Sequence, residues 1–182
     1  MLKSFKPTFM LNSLYDLDPD QLKTVGIQNI LTDLDNTLLP WNNKLADAKT
    51  NAWLQKMRQA NIQVIVVSNN SHARVGVALA QLEMPFVARA MKPTVKGIRE
   101  ALATYNLRAA ETVMVGDQLI TDVYSGNRAG LRTILVKPLV ASDGWNTSIN
   151  RFIEQYIFKY LKKHFVGLDW QDSLITAANQ KR

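Results

Sequence analysis

The side chains able to do chemistry are four aspartates, one lysine and two small polar residues: Asp33, Asp35, Asp117, Asp122, Lys92, Ser68 and Asn69. Asp33 and Asp35 stand two apart, so on a straight strand both face one side. At a strand end, the bend into a loop can aim both at one small volume. With Asp117 beside them the carboxylates repel one another, and a hard divalent cation relieves that repulsion; Mg²⁺ prefers oxygen ligands and bridges readily to phosphate. An aspartate can act as a covalent nucleophile, and a second acid can protonate a leaving group and then activate water. A single acid at a strand end is ordinarily a solvated loop residue or a helix cap. Several polar groups converging from separate strand ends are hard to explain that way.

The elements that must bring them together alternate along the chain. Residues 29–34 (NILTDL), 63–67 (QVIVV), Phe86–Ala90, 112–115 (TVMV) and 132–136 (RTILV) read as buried strands. Residues 46–60, Ala73–Leu82, Pro93–Tyr105 and Asp122–Gly130 read as helices, with Pro93 in a first turn and Gly130 as a stop. Alternation of this kind implies an α/β, Rossmann-like parallel sheet with helices on both faces. In such sheets function sits at the carboxyl ends of the strands. The first strand delivers Asp33 and Asp35, the second Ser68, the fourth Asp117, and Lys92 follows the short third strand.

Composition narrows the class. The 182 residues suit one domain over 1–182, with a catalytic core at about 27–140 and a helical tail at about 142–182. The absence of cysteine excludes disulfides and thiolate zinc sites. The first eleven residues do not read as a signal peptide, and no apolar run is long enough to span a membrane. A cytoplasmic location is expected. No P-loop or dinucleotide-type glycine motif occurs, which disfavours nucleotide-dependent kinase chemistry. The net charge of +7 suits anionic partners or a simply basic surface. No aromatic pattern of a known RNA-binding module appears, so nucleic acid is not the expected partner. His72 and His164 stand in no metal-ligand pattern, and Trp41 either lines a substrate entrance or packs a loop.

The run Asp33-Leu34-Asp35-Asn36-Thr37 resembles the D-x-D-x-T motif of haloacid dehalogenase (HAD) phosphatases. Val67-Ser68-Asn69, Lys92-Pro93 and Gly116-Asp117 through Asp122 resemble that family's remaining motifs, in the family's order. The flanking Ser13–Leu17, Leu22 to Ile27, and DLDNTLLPW with Trp41 are similar to the small capless YqeG group, whose relatives include phosphatidylglycerophosphate phosphatases. The resemblance implies roles. Asp33 attacks phosphorus. Asp35 is the acid/base and lends its main-chain carbonyl to the metal. Ser68 binds a phosphoryl oxygen, with Asn69 as a further substrate contact or a turn cap. Lys92 neutralises charge. Asp33, Asp35 and Asp117 hold Mg²⁺, and Asp122 acts through water or by orienting Lys92.

The gaps from Asp35 to Ser68 and from Ser68 to Lys92 leave no room for a large cap domain. The site is therefore expected to be open, or covered by a short flap near Leu38–Leu45 or by a partner subunit. An open site tolerates a substrate held at a surface, and the leading expectation is phosphatidylglycerophosphate. The alternatives are a soluble sugar phosphate or nucleotide, or a non-catalytic phosphate- or nucleic-acid-binding module. The tail supplies a reason for the first choice. Residues 151–166 read as an amphipathic helix with Phe152, Ile153, Tyr156, Ile157, Tyr160, Leu161 and Phe165 on one side and Arg151, Lys159, Lys162 and Lys163 away from it. Such a helix suits either peripheral contact with the inner membrane surface or packing on the domain.

Overall fold

Short apolar runs rich in valine, isoleucine and leucine bury well on both faces, and six of them build one sheet. The computed structural model describes residues 2–42, 47–140 and 148–174, with the backbone alone over 148–152. The strands are β1 (Phe9–Leu11), β2 (Asn29–Thr32), β3 (Gln63–Val67), β4 (Phe86–Val87), β5 (Thr112–Gly116) and β6 (Arg132–Val136). Their order is β1-β6-β5-β2-β3-β4, and every pair is parallel. The helices are α1 (Pro19–Thr24), α2 (Ala48–Gln59), α3 (His72–Leu79), α4 (Lys96–Thr104), α5 (Tyr124–Arg128) and α6 (Ser148–His164).

A parallel sheet must be covered on both faces. On one face Ile30, Val64, Val66 and Val113 pack with Leu22, Met57 and Val75 from α1, α2 and α3. On the other, Leu31, Ile65 and Met114 pack with Ile98 and Ala101 of α4, and Met10 and Leu135 pack with Leu161 of α6. Side-chain caps fix the starts of the first three helices. Asp18 accepts from Asp20 N at 2.9 Å, Asp47 from Thr50 N at 2.7 Å, and Ser71 from Arg74 N at 3.3 Å.

The chain runs outward from β2 through β3 to β4, then returns to place β5 and β6 on β2's other side. The reversal between β2 and β5 opens a crevice beyond their carboxyl ends, where ligands bind in open sheets of this kind. Among the described residues no large cap domain interrupts the layers: α2 lies between Asp35 and Ser68, and α3 between Ser68 and Lys92.

All five expected strands are present, with three differences around them. The third ends at Val87 rather than Ala90, because the chain turns there to bond the neighbouring loop, with Arg89 and Met91 at φ of 49° and 56°. Pro93 does not start a helix. Its peptide with Lys92 is cis, and α4 begins at Lys96. A π-helical turn, Leu119–Val123, precedes α5 where one continuous helix from Asp122 is expected. The edge strand β1 is a sixth, absent from the sequence-based scheme.

The tail is bound in two ways. Leu11 and Gln171 form a parallel bridge on β1's free edge, and Leu174 is fully buried in the first core. In α6 the inward stripe is Glu154, Ile157, Phe158, Leu161 and, just beyond the helix, Phe165. The expected apolar face is thus divided: Ile153, Tyr156 and Tyr160 point outward at 46, 60 and 40 % exposure. The side chains of Arg151 and Phe152 lie outside the described residues.

Leu161, with no exposed surface, tests the inward assignment. Leu161→Ala should lower the unfolding free energy by about 2–5 kcal/mol in urea titration, whereas Tyr156→Ala should change it by about 0.5 kcal/mol or less.

Candidate active site

Asp33 is the first residue beyond β2, and its N–H donates to Val115 O of β5 at 3.0 Å. That bond holds it at the reversal point. Lys92 reaches the same place from the β4 side. Its Nζ donates to Asp33 Oδ1 and to Asp122 Oδ1, each at 2.7 Å. The Lys92 and Asp122 side chains are 2 and 1 % exposed, so this is a buried ion pair, while Asp33 keeps 14 %. Carboxylate oxygens of Asp33, Asp117 and Asp122 lie within 4.8 Å of one another.

The loop after β5 is shaped to deliver Asp117 and Asp122. A Cβ on Gly116 would stand 2.2 Å from Asp122 Cγ, so only glycine allows that carboxylate to lie against the strand end. The other Asp122 oxygen accepts from Gln118 N at 3.1 Å. Thr37 donates from Oγ1 to Asp117 Oδ1 at 2.9 Å. From the tail, the buried Glu154 accepts the Ile120 N–H at 2.8 Å and so clamps the π-helical turn.

The Lys92 loop is laced to the loop after β3. Ala90 N donates to Ser68 O at 3.0 Å and Arg89 N to Asn70 O at 2.8 Å. Both ends of the Asn69 amide bind the Lys92 backbone, accepting from its N–H at 2.7 Å and donating to its carbonyl at 2.8 Å. Asn69 thus has a structural role in holding the Lys92 loop. Ser68 Oγ accepts from Asn70 N and Nδ2 at 3.2 and 3.1 Å, which leaves its hydroxyl hydrogen free to be donated.

The Asp35 carboxylate stands apart from the other three. Its Oδ2 accepts from Asn70 Nδ2 at 2.6 Å and its Oδ1 from Arg74 Nη2 at 2.9 Å. Its side chain thus does not join the acidic group of Asp33, Asp117 and Asp122. The loop that carries it is tight. Asn36 adopts φ 63°, a conformation asparagine tolerates, and bonds Leu39 O at 2.7 Å through its N–H. Tyr15 braces the loop by donating to Leu38 O at 2.5 Å. Leu38 and Leu39 are buried; residues 43–46, part of the segment where a flap is expected, lie outside the described residues. Leu39, Pro40 and Trp41 form one wall of a groove of about 350 Å³ beside Asp35, with Arg74 and Val77 opposite. Thr37, Asn70, Arg74 and Glu154 were not among the residues expected to serve the site.

Burial is the largest influence on Asp33. It pushes the carboxyl up to about 7, against the pull of Lys92 and with Asp122 and Asp117 adding to the rise. Burial works the opposite way on Lys92, but Asp122 and Asp33 overcome it and hold the ammonium above the usual lysine range. The arrangement is a half-open carboxylate backed by a permanent cation and flanked by two further acids, suited to attack on an electrophilic anion.

Comparisons with known proteins agree with this geometry. Residues 30–91 match the family described as haloacid dehalogenase-like hydrolase, and residues 89–162 match the one described as HAD-hydrolase-like. The chain is 38 % identical over 161 residues to the probable phosphatase YqeG of Bacillus subtilis, covering 88 % of this chain and 94 % of that protein. It is 29 % identical to the chloroplastic phosphatidylglycerophosphate phosphatase 1 of Chlamydomonas reinhardtii, over 74 % of this chain and 54 % of that longer one. A crystal structure of an uncharacterized protein from Listeria monocytogenes shares the fold, with a TM-score of 0.51 at 16 % identity over 73 % of this chain and 99 % of that one.

The raised value of Asp33 has a consequence for stability. A folded value above the ordinary 3.8 means that the native state holds the proton more tightly. The stability so gained is complete below about pH 4 and lost as pH rises through about 7. In the presence of chelator, Asp33→Asn should therefore raise the thermal midpoint over wild type by a few degrees above about pH 7. The gain should shrink steadily toward about pH 4. A pH-independent difference in calorimetry would show that Asp33 does not carry this titration.

Proposed function

Since the chain belongs to the haloacid dehalogenase-like hydrolases and, within them, to the phosphatases of the YqeG group, we propose that it hydrolyses a phosphomonoester through an aspartyl-phosphate on Asp33 with Mg²⁺ as cofactor. The observation that carries this reading is the Lys92 ammonium, held 2.7 Å from both Asp33 and Asp122 beside Asp117. The donor set fits the ion: carboxylate oxygens of Asp33 and Asp117, and the Asp35 carbonyl, are the hard ligands that Mg²⁺ prefers. Bound there, Mg²⁺ would supply positive charge to offset that of the carboxylates and of a phosphoryl group. Asp122 already spends its oxygens on Lys92 and Gln118, which favours a role in orienting the lysine.

In the proposed reaction an Asp33 oxygen attacks phosphorus while the ester oxygen departs and takes a proton from Asp35. Ser68 donates its hydroxyl hydrogen to a phosphoryl oxygen, and Lys92 offsets the charge that gathers there. Water then gives a proton to Asp35 and attacks phosphorus. The Asp33–phosphorus linkage breaks, releasing phosphate and restoring the carboxylate.

For the substrate we favour phosphatidylglycerophosphate at an anionic lipid surface. A relative carries that activity in its name, and α6 offers the means. Glu154, Gln155 and Phe158 line a cleft with Asp117, so the helix lies beside the site. Its outward Ile153, Tyr156 and Tyr160 stand among Lys159 and Lys163, the composition of an interfacial helix. No helix among the described residues is long and apolar enough to cross a membrane. A soluble sugar phosphate or nucleotide is the other outcome of a substrate screen.

Phosphate release from p-nitrophenyl phosphate tests the chemistry. Asp33→Asn should reduce turnover by about a thousandfold or more, because an amide cannot form the acyl-phosphate, and Asp35→Asn should reduce it severely. Chelator should abolish activity, and Asp117→Ala should raise the Mg²⁺ concentration needed. Undiminished rates in Asp33→Asn would end the aspartyl-phosphate proposal.

Sedimentation with anionic vesicles tests the surface. Wild type should co-sediment at low salt, and added salt should release it. Lys159, Lys162 and Lys163 changed together to Gln should weaken binding without loss of activity on the soluble ester. Failure of wild type to sediment would leave α6 as packing alone.

A further inference from the structure

Asp35 is the residue that the proposed reaction sets against the leaving oxygen, yet both of its carboxylate oxygens are occupied. Asn70 holds one and Arg74 the other. Arg74 sits in the first turn of α3, where a cation runs against the helix dipole, so its charge is not there for the helix. Its side chain is 39 % exposed, which makes the pair with Asp35 a weak and exchangeable one.

The groove of about 350 Å³ continues from this pair. Leu39, Pro40, Trp41 and Val77 give it apolar walls, and Arg74 is the cation among its lining residues. It adjoins Asp35, so in the proposed reaction a leaving group would extend into it. A leaving group made of a carbon skeleton with a second anion fits both features: skeleton against the apolar walls, anion on the guanidinium.

We propose that Arg74 is a specificity-determining residue that binds a phosphodiester on the leaving side of the substrate, exchanging it for Asp35. The inference rests on the phosphatase reading above. A guanidinium can grip a phosphodiester through two parallel N–H donors. Once it turns to that anion, Asp35 Oδ1 is released, takes up a proton from solvent and can give it to the departing ester oxygen. Monoesters without a second anion must open the same pair with nothing to replace it, and are poorer substrates for that reason. The phosphodiester can belong to a lipid headgroup or to a water-soluble diester; the recognising chemistry is the same.

The test compares kcat/KM on four monoesters with the same reacting end: glycerol 3-phosphate, a neutral ether-extended glycerol phosphate, glycerophosphoglycerol phosphate, and the diacyl form of the last in mixed micelles. Wild type should prefer the two diester-bearing substrates to the neutral extended one. In Arg74→Gln that preference should fall about tenfold or more, beyond any loss common to all four, and Arg74→Lys should restore part of it. An equal loss on every substrate would make Arg74 a support for Asp35 alone and overturn the proposal. So would a change confined to the diacyl form, which would place Arg74 at the lipid surface instead. If wild type hydrolyses none of the four and Asp33→Asn is indistinguishable from it, the phosphatase reading falls too.

Discussion

The site depends on one buried ammonium. Among the described residues Lys92 carries the positive charge paired with Asp33 and Asp122, and both acids are largely withdrawn from water to meet it. Removing the lysine leaves two carboxylates without their cation, which costs about 3–5 kcal/mol. The surrounding loops are built so that none can leave alone. Asn69 grips the lysine's backbone at both its N–H and its carbonyl, and Gln118 N holds the far oxygen of Asp122. Even so the balance is incomplete, since three carboxylates face one ammonium. Burial above all, with Asp122 and Asp117 adding to it, pushes Asp33 up, and a divalent ion beside it would oppose that rise.

Topology makes this meeting possible. Asp33 follows β2, the lysine follows β4 and the two other acids follow β5, so the four groups come from three strand ends on both sides of the chain reversal. Backbone bonds rather than side chains set most of the distances: Asp33 N to Val115 O, Ala90 N to Ser68 O, Arg89 N to Asn70 O. These tie each loop to its neighbour with little freedom, while Asp35 remains on the side that faces the open groove.

Much of this was legible in the residues. Runs such as QVIVV and TVMVG signal buried strands by their continuous apolar character, and the strand-end rule picks out Asp33, Ser68 and Asp117 without further information. What was not legible has physical reasons. β1 is three residues long and lies at an edge, too short for any periodic signal. Asn69 and Asn70 are the same residue type side by side, and only the path of the backbone decides which meets Lys92 and which meets Asp35. Arg74 looks like any exposed helix residue until α3 is placed against the Asp35 loop. Glu154 is hidden for the opposite reason: a charge at an inward position of α6 breaks the apolar stripe that pattern-reading seeks. Pattern alone likewise put Ile153, Tyr156 and Tyr160 on one side with Ile157 and Leu161, whereas they point away from the core.

Glu154 also bears on the order in which the protein can be completed. The carboxylate that satisfies Ile120 N–H lies 34 residues downstream, and the strand that opens the fold is bridged at its free edge by Gln171. On a ribosome, the loop holding Asp117 and Asp122 therefore emerges well before the helix that clamps it. A chain interrupted anywhere between the two has every residue of the four motifs but lacks the support for one of them. Assembly of the site in this sense waits on residues made after its motifs, and until then the chain carries the acids without the finished geometry.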